Sequence, residues 1–148
     1  MARIIDEKEY ARRRNEILDI AQRLVYSKGY EQMTIQDILD NLQISKGAFY
    51  HYFGSNPALL EALIEHIQDG AEMLIIPILQ DAHLSAIEKL ERFFATAARW
   101  KTEQKDFFLA LLRVWYTDDN AIVRQKTYTV GMRRFLPELT GVIYQGIR

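Results

Sequence analysis

The 148-residue chain contains no cysteine and few residues that interrupt helices, with seven glycines and three prolines. Without cysteine it forms no disulfide of its own, no thiol nucleophile and no cysteine-ligated zinc site. Acidic and basic residues nearly balance at a formal net charge of −1, so no global basic field points to nucleic acid. The chain also lacks an apolar run long enough to span a bilayer and an N-terminal signal-peptide pattern. We expect a cytoplasmic protein with no membrane partner.

Signatures of catalysis are missing as well. His66 and His83 do not have the spacing of an HExxH-type metal site. Carboxylates are scattered, no glycine-rich loop follows a strand, and the G-x-S-x-G nucleophile elbow is absent. The sequence therefore predicts no enzyme, no catalytic residue, no metal site and no cofactor.

Apolar residues recur at helical spacing along the whole chain, which predicts an all-α fold. The predicted helices cover about 10–28, 34–42, 45–53, 57–80, 84–101, 106–116 and 119–148. Thr34 and Asp37 resemble a capping box, Ser45 is a suitable N-cap, and Asn56 is the predicted N-cap of the fourth helix. Gly70 and Pro77 predict a kink or a break in that helix, and Pro137 predicts a kink in the last one.

Residues 34–53, TIQDILDNLQISKGAFYHYF, predict two short helices joined by a tight turn. This is the pattern of a helix-turn-helix, whose second helix enters the major groove of DNA. Helical spacing turns Ala48, Phe49, Tyr52 and Phe53 inward and leaves a polar side outside. The outer residues are Lys46, Gly47, Tyr50 and His51.

These outer residues suit a duplex surface. Ser45 and Lys46 can meet phosphate, and Lys46 can reach guanine. Gly47 is small enough to let the helix come close, whereas Tyr50 and His51 offer polar tips and flat faces. Arg12 and Arg13 belong to a basic stretch that we predict to lie along the DNA backbone.

Ordinary alternatives exist for each of these features. Two amphipathic helices joined by a short loop occur in any helical bundle, and an arginine run is more often a solvated helix start than a DNA contact. His51 taken alone is more often a surface histidine than a residue that reads bases.

The segment ISKGAFYHYF, residues 44–53, closely resembles the third helix of the tetracycline-repressor (TetR) family. Other residues that match the family's N-terminal signature are Thr34, Ile35, Ile38, Ala58, Leu59 and Leu60. The resemblance implies a homodimer with an N-terminal three-helix helix-turn-helix domain, here residues 1–55. It also implies a C-terminal helical bundle for effector binding and dimerisation, here residues 56–148. The residues that it implies to lie at or near a double-stranded DNA operator are Thr34, Ser45, Lys46, Gly47, Tyr50 and His51.

The chain departs from the family pattern in three places. Gln43 stands where glycine is common in the turn, and Asn56 stands where a phosphate-binding lysine is frequent. If residue 43 needs a positive φ, a residue other than glycine costs about 1 kcal/mol there. Members usually run on past the point where this chain stops, so we expect the C-terminal domain to be truncated.

Aromatic residues crowd the second half and predict an apolar pocket between helices. The candidate lining residues are Phe93, Trp100, Phe108, Trp115, Tyr128 and Met132. For any one of them, ordinary core packing is the alternative.

The function that we predict is a sequence-specific DNA-binding transcriptional regulator, a repressor released by a small apolar or aromatic effector. The first alternative is a helical protein-interaction module that has lost DNA binding. The second is a small-molecule carrier without DNA activity.

Overall fold

The computed structural model describes residues 6–103 and 105–148, without the side chains of residues 100, 106–108, 110 and 111. Every regular element in these ranges is helical, which confirms the predicted all-α fold. The elements are α1 (Glu7–Lys28), α2 (Ile35–Leu42), α3 (Lys46–Tyr52), α4 (Asn56–Leu79), α5 (Ala86–Glu103), α6 (Lys105–Trp115) and α7 (Ala121–Ile147), with a 3-10 turn at Asp118–Asn120. None of the described helices is long and apolar enough to cross a bilayer.

Side-chain caps fix where the first four helices begin. Asp6 accepts a hydrogen bond from the Lys8 N–H, so α1 begins three residues earlier than predicted. The predicted capping box is present at α2, because Thr34 Oγ1 accepts from the Asp37 N–H while the Thr34 N–H donates to Asp37 Oδ2. The predicted cap of α4 was wrong by one residue: Ser55 caps it, and Asn56 is already helical.

One hydrophobic cluster holds α1, α2, α3 and the first half of α4 together. Its buried residues are Ile17, Leu18, Ala21, Val25, Ile38, Leu39, Phe49, Phe53, Leu59, Leu60, Ala62, Leu63, Ile64 and Val123. Because Phe49 and Phe53 enter this cluster from one side of α3, the opposite side of that helix must face outward. Val123 belongs to α7, so this cluster includes residues far beyond position 55. The domain boundary that we predicted at residue 55 stays a prediction.

Helices α4 and α7 lie side by side and run in the same direction. Gln68, midway along α4, donates to the Thr127 carbonyl early in α7, and Gln80 at the end of α4 donates to Glu138 further along α7. Between these contacts, Arg134 Nη1 lies 2.8 Å from Asp69 Oδ1. This packing connects α4, which starts at the N-terminal cluster, to the rest of the chain.

Helices α4 and α5 each differ from what the sequence pattern predicts. Ile87 and Phe94, which helical spacing places on the apolar side of α5 with Leu90 and Phe93, are about two-thirds exposed. Only Leu90 and Phe93 pack against the second cluster, around Leu79, Ala86 and Val142. The fourth helix is not broken, because α4 continues through Gly70 and Pro77.

Candidate nucleic-acid interface

Helix α3 presents one rung of polar side chains to solvent. Lys46, Gly47, Tyr50 and His51 are all exposed, as the helical spacing predicts. Ser45 caps the helix by accepting from the Ala48 N–H at 3.1 Å. The helix contains a lysine and a histidine and no carboxylate, so no side chain of α3 repels phosphate. Whether these residues contact DNA stays a prediction.

Gly47 has no role in internal packing that would require a glycine. A Cβ added there would meet only the Ser45 Oγ, at 4.0 Å, and the backbone has no positive φ. Gly47 lies in the first turn of α3, and because glycine in the middle of a helix is less stable than alanine by roughly 0.5–1 kcal/mol, its cost here is at most of that size. Because Gly47 lowers the stability of α3 and no packing within the protein requires a glycine there, a contact of Gly47 with another molecule is favoured.

The start of α1 braces the end of α3. The Tyr10 ring lies 4.9 Å from the Tyr52 ring and makes an edge contact with His51 at 5.7 Å. The Arg14 guanidinium stacks over Phe53, 4.9 Å from the ring centroid. These contacts hold α3 at a fixed angle to α1, so the exposed rung is presented rigidly.

Arg12 and Arg13 are exposed but already paired within α1. Arg12 Nη2 lies 2.6 Å from Glu9 Oε1, Arg12 also pairs with Glu16, and Arg13 Nε lies 3.1 Å from Glu9 Oε1. The two guanidinium groups, Arg12 foremost, hold the pKa of Glu9 at about 2. A phosphate contact from either arginine would have to replace these weak surface pairs.

The beginnings of α2 and α4 meet at one shallow groove. Thr34, Glu31 and Asn56 line it together with apolar side chains. Helix starts attract phosphate in general, but here caps use the N–H groups of Thr34, Asp37 and Ala58, and Glu31 adds a carboxylate to the groove. Lys28 Nζ, 2.8 Å from Asp37 Oδ2, lies at the edge of α2 and lowers the pKa of Asp37 to about 2, helped by the Thr34 N–H and hydroxyl.

The turn between α2 and α3 depends on a left-handed residue. Gln43 has φ 53° and ψ 44°, and its N–H donates to the Leu39 carbonyl. The positive φ that we considered from the sequence is therefore present. Gln43 carries a strain that glycine would relieve.

A buried asparagine joins the helix-turn-helix to the second half of the chain. The Asn120 side chain accepts from the Tyr30 N–H and donates to the carbonyls of Val25 at 3.2 Å and Val114 at 3.3 Å. We call this contact the Asn120 joint. Next to it, the Asp119 carbonyl accepts from the Glu31 N–H at 3.0 Å. The sequence reasoning missed this joint, since residues 90 positions apart in the chain give no local signal.

The predicted effector pocket is not assembled as one cavity by its described members. Phe93 packs in the second cluster, whereas Trp115 packs against the first, with an edge contact to Tyr26. Tyr128 and Met132 are exposed on α7. Trp100 and Phe108 lie outside the described side chains. The structure brings Trp115 and Tyr128 together in an open groove at the start of α7.

Comparison with known proteins shows which family part of the chain resembles. Residues 17–63 match the family model of bacterial regulatory proteins of the tetR family. The uncharacterized HTH-type transcriptional regulator YuxN of Bacillus subtilis is 42% identical over 62 residues, which are 42% of this chain and 21% of that protein. The nucleoid occlusion factor SlmA of Serratia proteamaculans is 38% identical over 76 residues, or 51% of this chain and 38% of that protein. The HTH-type regulator YerO of B. subtilis is 31% identical over 121 residues, or 81% of this chain and 42% of that protein.

Two solved structures have the same fold. A TetR/AcrR family member superposes with a TM-score of 0.65 at 24% identity, covering 92% of this chain and 71% of the other. The reduced form of NemR from E. coli gives the same TM-score at 19% identity, covering 90% and 70%. Over residues 17–63 the chain therefore matches the TetR family in sequence, and its fold is that of TetR/AcrR structures. Its matches span between about a fifth and two fifths of the length of these curated relatives.

Proposed function

We propose that the protein is a DNA-binding transcriptional regulator whose α3 lies in the major groove. The observation that carries this proposal is the rung of Lys46, Gly47, Tyr50 and His51, exposed on a helix that two buried phenylalanines fix in place. Lys46 supplies positive charge for phosphate or guanine, and Tyr50 and His51 reach base edges or the backbone. Gly47 lets the helix approach the bases.

The groove between Thr34 and Asn56 would hold a backbone phosphate beside the major groove. The Thr34 hydroxyl accepts from the Asp37 N–H and also helps to lower the pKa of the Asp37 carboxyl, so a phosphate contact from this hydroxyl would have to replace its contact with that carboxylate. Asn56 can donate from its amide, although with less attraction than a lysine. Such contacts set the orientation of α3 without reading sequence.

We propose that two copies act together and place their α3 helices about 34–36 Å apart on a palindromic site. One side of α7 supports a contact between copies, because it is exposed, uncharged and mostly apolar along the helix. Its residues are Ile122, Thr129, Met132, Leu136, Thr140, Ile143 and Ile147. We call this side the α7 stripe. Contiguous apolar surface of this kind marks an interaction site more often than a solvated face.

Light scattering tests the dimer. Leu136→Arg on the α7 stripe should give a monomer, whereas Lys126→Glu, an exposed change on the same helix beyond the stripe, should leave the dimer intact. A wild-type protein that is monomeric at the concentrations that saturate DNA would contradict the proposed dimer.

The regulator would respond to a small molecule in the second half of the chain and would be a cytoplasmic repressor that this effector releases. The Asn120 joint is the route that we propose, since it connects the end of α6 and the start of α7 directly to α1 and to the loop before α2. An effector changes DNA affinity only by binding one arrangement of this joint better than the other.

A selection experiment tests DNA binding. Random duplexes are enriched on the protein, and the enriched duplex is titrated against wild type and Lys46→Ala by fluorescence anisotropy. We expect an enriched palindrome and a salt dependence that is shallower for Lys46→Ala by about 0.9 in log–log slope. Failure to enrich any duplex would overturn the proposal and would favour a protein-interaction module instead.

A further inference from the structure

We propose that the open groove at the α6–α7 junction is a binding site for a planar aromatic ligand that carries a carboxylate. Its main lining residues are Trp115, Tyr116, Arg124, Thr127 and Tyr128, and they enclose about 650 Å³. That volume is within the range of sites for small organic ligands. Below, this site is called the junction groove.

Arg124 supplies the positive charge. Its Nη1 donates to the carbonyls of Trp115 and Thr117, and its guanidinium lies 5.6 Å from the centroid of the Tyr116 ring. Among the described side chains, no carboxylate lies within salt-bridge distance of Arg124. A half-buried guanidinium that binds carbonyls through Nη1, and whose Nε and Nη2 make no hydrogen bond with the described residues, is suited to a carboxylate, which it can bind through two parallel hydrogen bonds.

The rings around Arg124 supply flat apolar surface. Tyr116 and Tyr128 are each 68% exposed and line the same groove. Trp115 forms the inner wall, with its ring against Tyr26 of α1. A flat aromatic ligand between these rings would bury their faces and bring its acidic group to Arg124.

Thr127 provides a second polar atom that lacks a partner. Its Oγ1 is inaccessible to solvent and makes no hydrogen bond with the described residues, although Thr127 lines the junction groove. Its carbonyl accepts from Gln68 of α4 at 2.6 Å, so Thr127 sits where α7 meets α4. Because Oγ1 is inaccessible to solvent, a ligand in the junction groove would lie over Thr127 without bonding to this oxygen, and its binding depends on Arg124 and the rings.

Occupancy of the junction groove would act on the contacts that connect the two halves of the chain. Arg124 holds the end of α6, whose Val114 carbonyl belongs to the Asn120 joint, and Trp115 packs on α1. A ligand that engages the other N–H groups of Arg124 would draw on the guanidinium whose Nη1 now holds the Trp115 and Thr117 carbonyls. This regulatory consequence rests on the proposed function, whereas binding of the ligand does not.

Isothermal titration of the whole chain with 1-naphthoate, and with neutral 1-naphthamide as its matched control, tests the site. We expect 1-naphthoate to bind at about 1 mM or tighter and at least about tenfold more tightly than the amide, a difference of about 1.4 kcal/mol. Arg124→Gln should remove the preference for the acid. Because Arg124 also holds the end of α6, a second variant is needed that leaves this contact intact.

Tyr128→Ala serves that purpose, with Tyr144→Ala as its control. Both tyrosines are more than 60% exposed on α7, but only Tyr128 lines the junction groove. Tyr128→Ala should weaken 1-naphthoate by about three- to tenfold, and Tyr144→Ala should leave it unchanged. Equal binding of acid and amide, no binding of either, or equal effects of the two tyrosine variants would each overturn the proposal.

The same samples separate this inference from the proposed function. A protein that binds its selected duplex but not 1-naphthoate loses the junction-groove proposal alone. A protein that binds 1-naphthoate through Arg124 and Tyr128 but binds no duplex loses the proposed function alone.

Discussion

Replacing Gly47 with alanine should stabilise the fold and weaken DNA binding. Because the two effects have opposite signs, together they test whether α3 approaches DNA closely at Gly47. The added methyl group meets only Ser45 Oγ, at 4.0 Å, so it introduces no clash within the protein. Alanine is favoured over glycine in a helix by roughly 0.5–1 kcal/mol. For a chain of this size, that gain should raise the melting temperature by about 1–4 °C.

At the interface with DNA, the same methyl group would occupy space between α3 and the bases. Overpacking of a close contact costs about 1–3 kcal/mol, which corresponds to a loss of affinity of about five- to 150-fold. Calorimetry measures the stability, and fluorescence anisotropy with the selected duplex measures the affinity.

Gly141→Ala is the matched control. Gly141 is also an exposed helical glycine, and a Cβ added there would meet nothing within 4 Å, but it lies in α7, far along the chain from α3. It should raise stability by a similar amount and leave DNA binding unchanged. If Gly47→Ala stabilises the protein and binds DNA as wild type does, α3 does not approach the duplex closely and the reasoning fails.

Four further predictions concern the same region. Tyr50→Ala should weaken binding to the selected duplex with little change in melting temperature, because Tyr50 is 40% exposed; a large loss of stability would place its ring in the core. Asn56→Lys should steepen the salt dependence of binding by up to about 0.9 in log–log slope, and an unchanged slope would show that residue 56 does not touch the backbone. Gln43→Gly should stabilise the protein to chemical denaturation by about 1 kcal/mol, since residue 43 has φ 53°, and a loss of stability would show that the Gln43 side chain outweighs the strain. The pKa of Asp37 is lowered from 3.8 to about 2, so its contribution to stability is complete above pH 4 and is lost as the pH falls towards 2; Asp37→Asn should flatten the pH dependence of unfolding in that window, and an unaltered curve would contradict the assignment.

The helices and their caps could be predicted from sequence because the signals are local. Thr34 and Ser45 lie within four residues of the N–H groups that they cap. The orientation of α3 was predictable for the same reason, since the alternation of Phe49 and Phe53 with Tyr50 fixes which side is buried.

The features that escaped prediction depend on contacts between distant parts of the chain. Asn120 is a polar residue in a short turn, and only the approach of Val25 and Tyr30 gives it a buried role. Ile87 and Phe94 look like core by periodicity, yet tertiary packing leaves them exposed. Periodicity finds an apolar side of a helix but does not say what covers it.

The most direct measurement is an NMR titration, in which the backbone amide signals of the 17.4 kDa chain are recorded as the selected duplex is added. We expect the largest changes at Lys46–Tyr52 and at Thr34, with a smaller group at Asn56. Changes confined to α5 and to the α7 stripe, with the signals of α3 unmoved, would contradict this expectation.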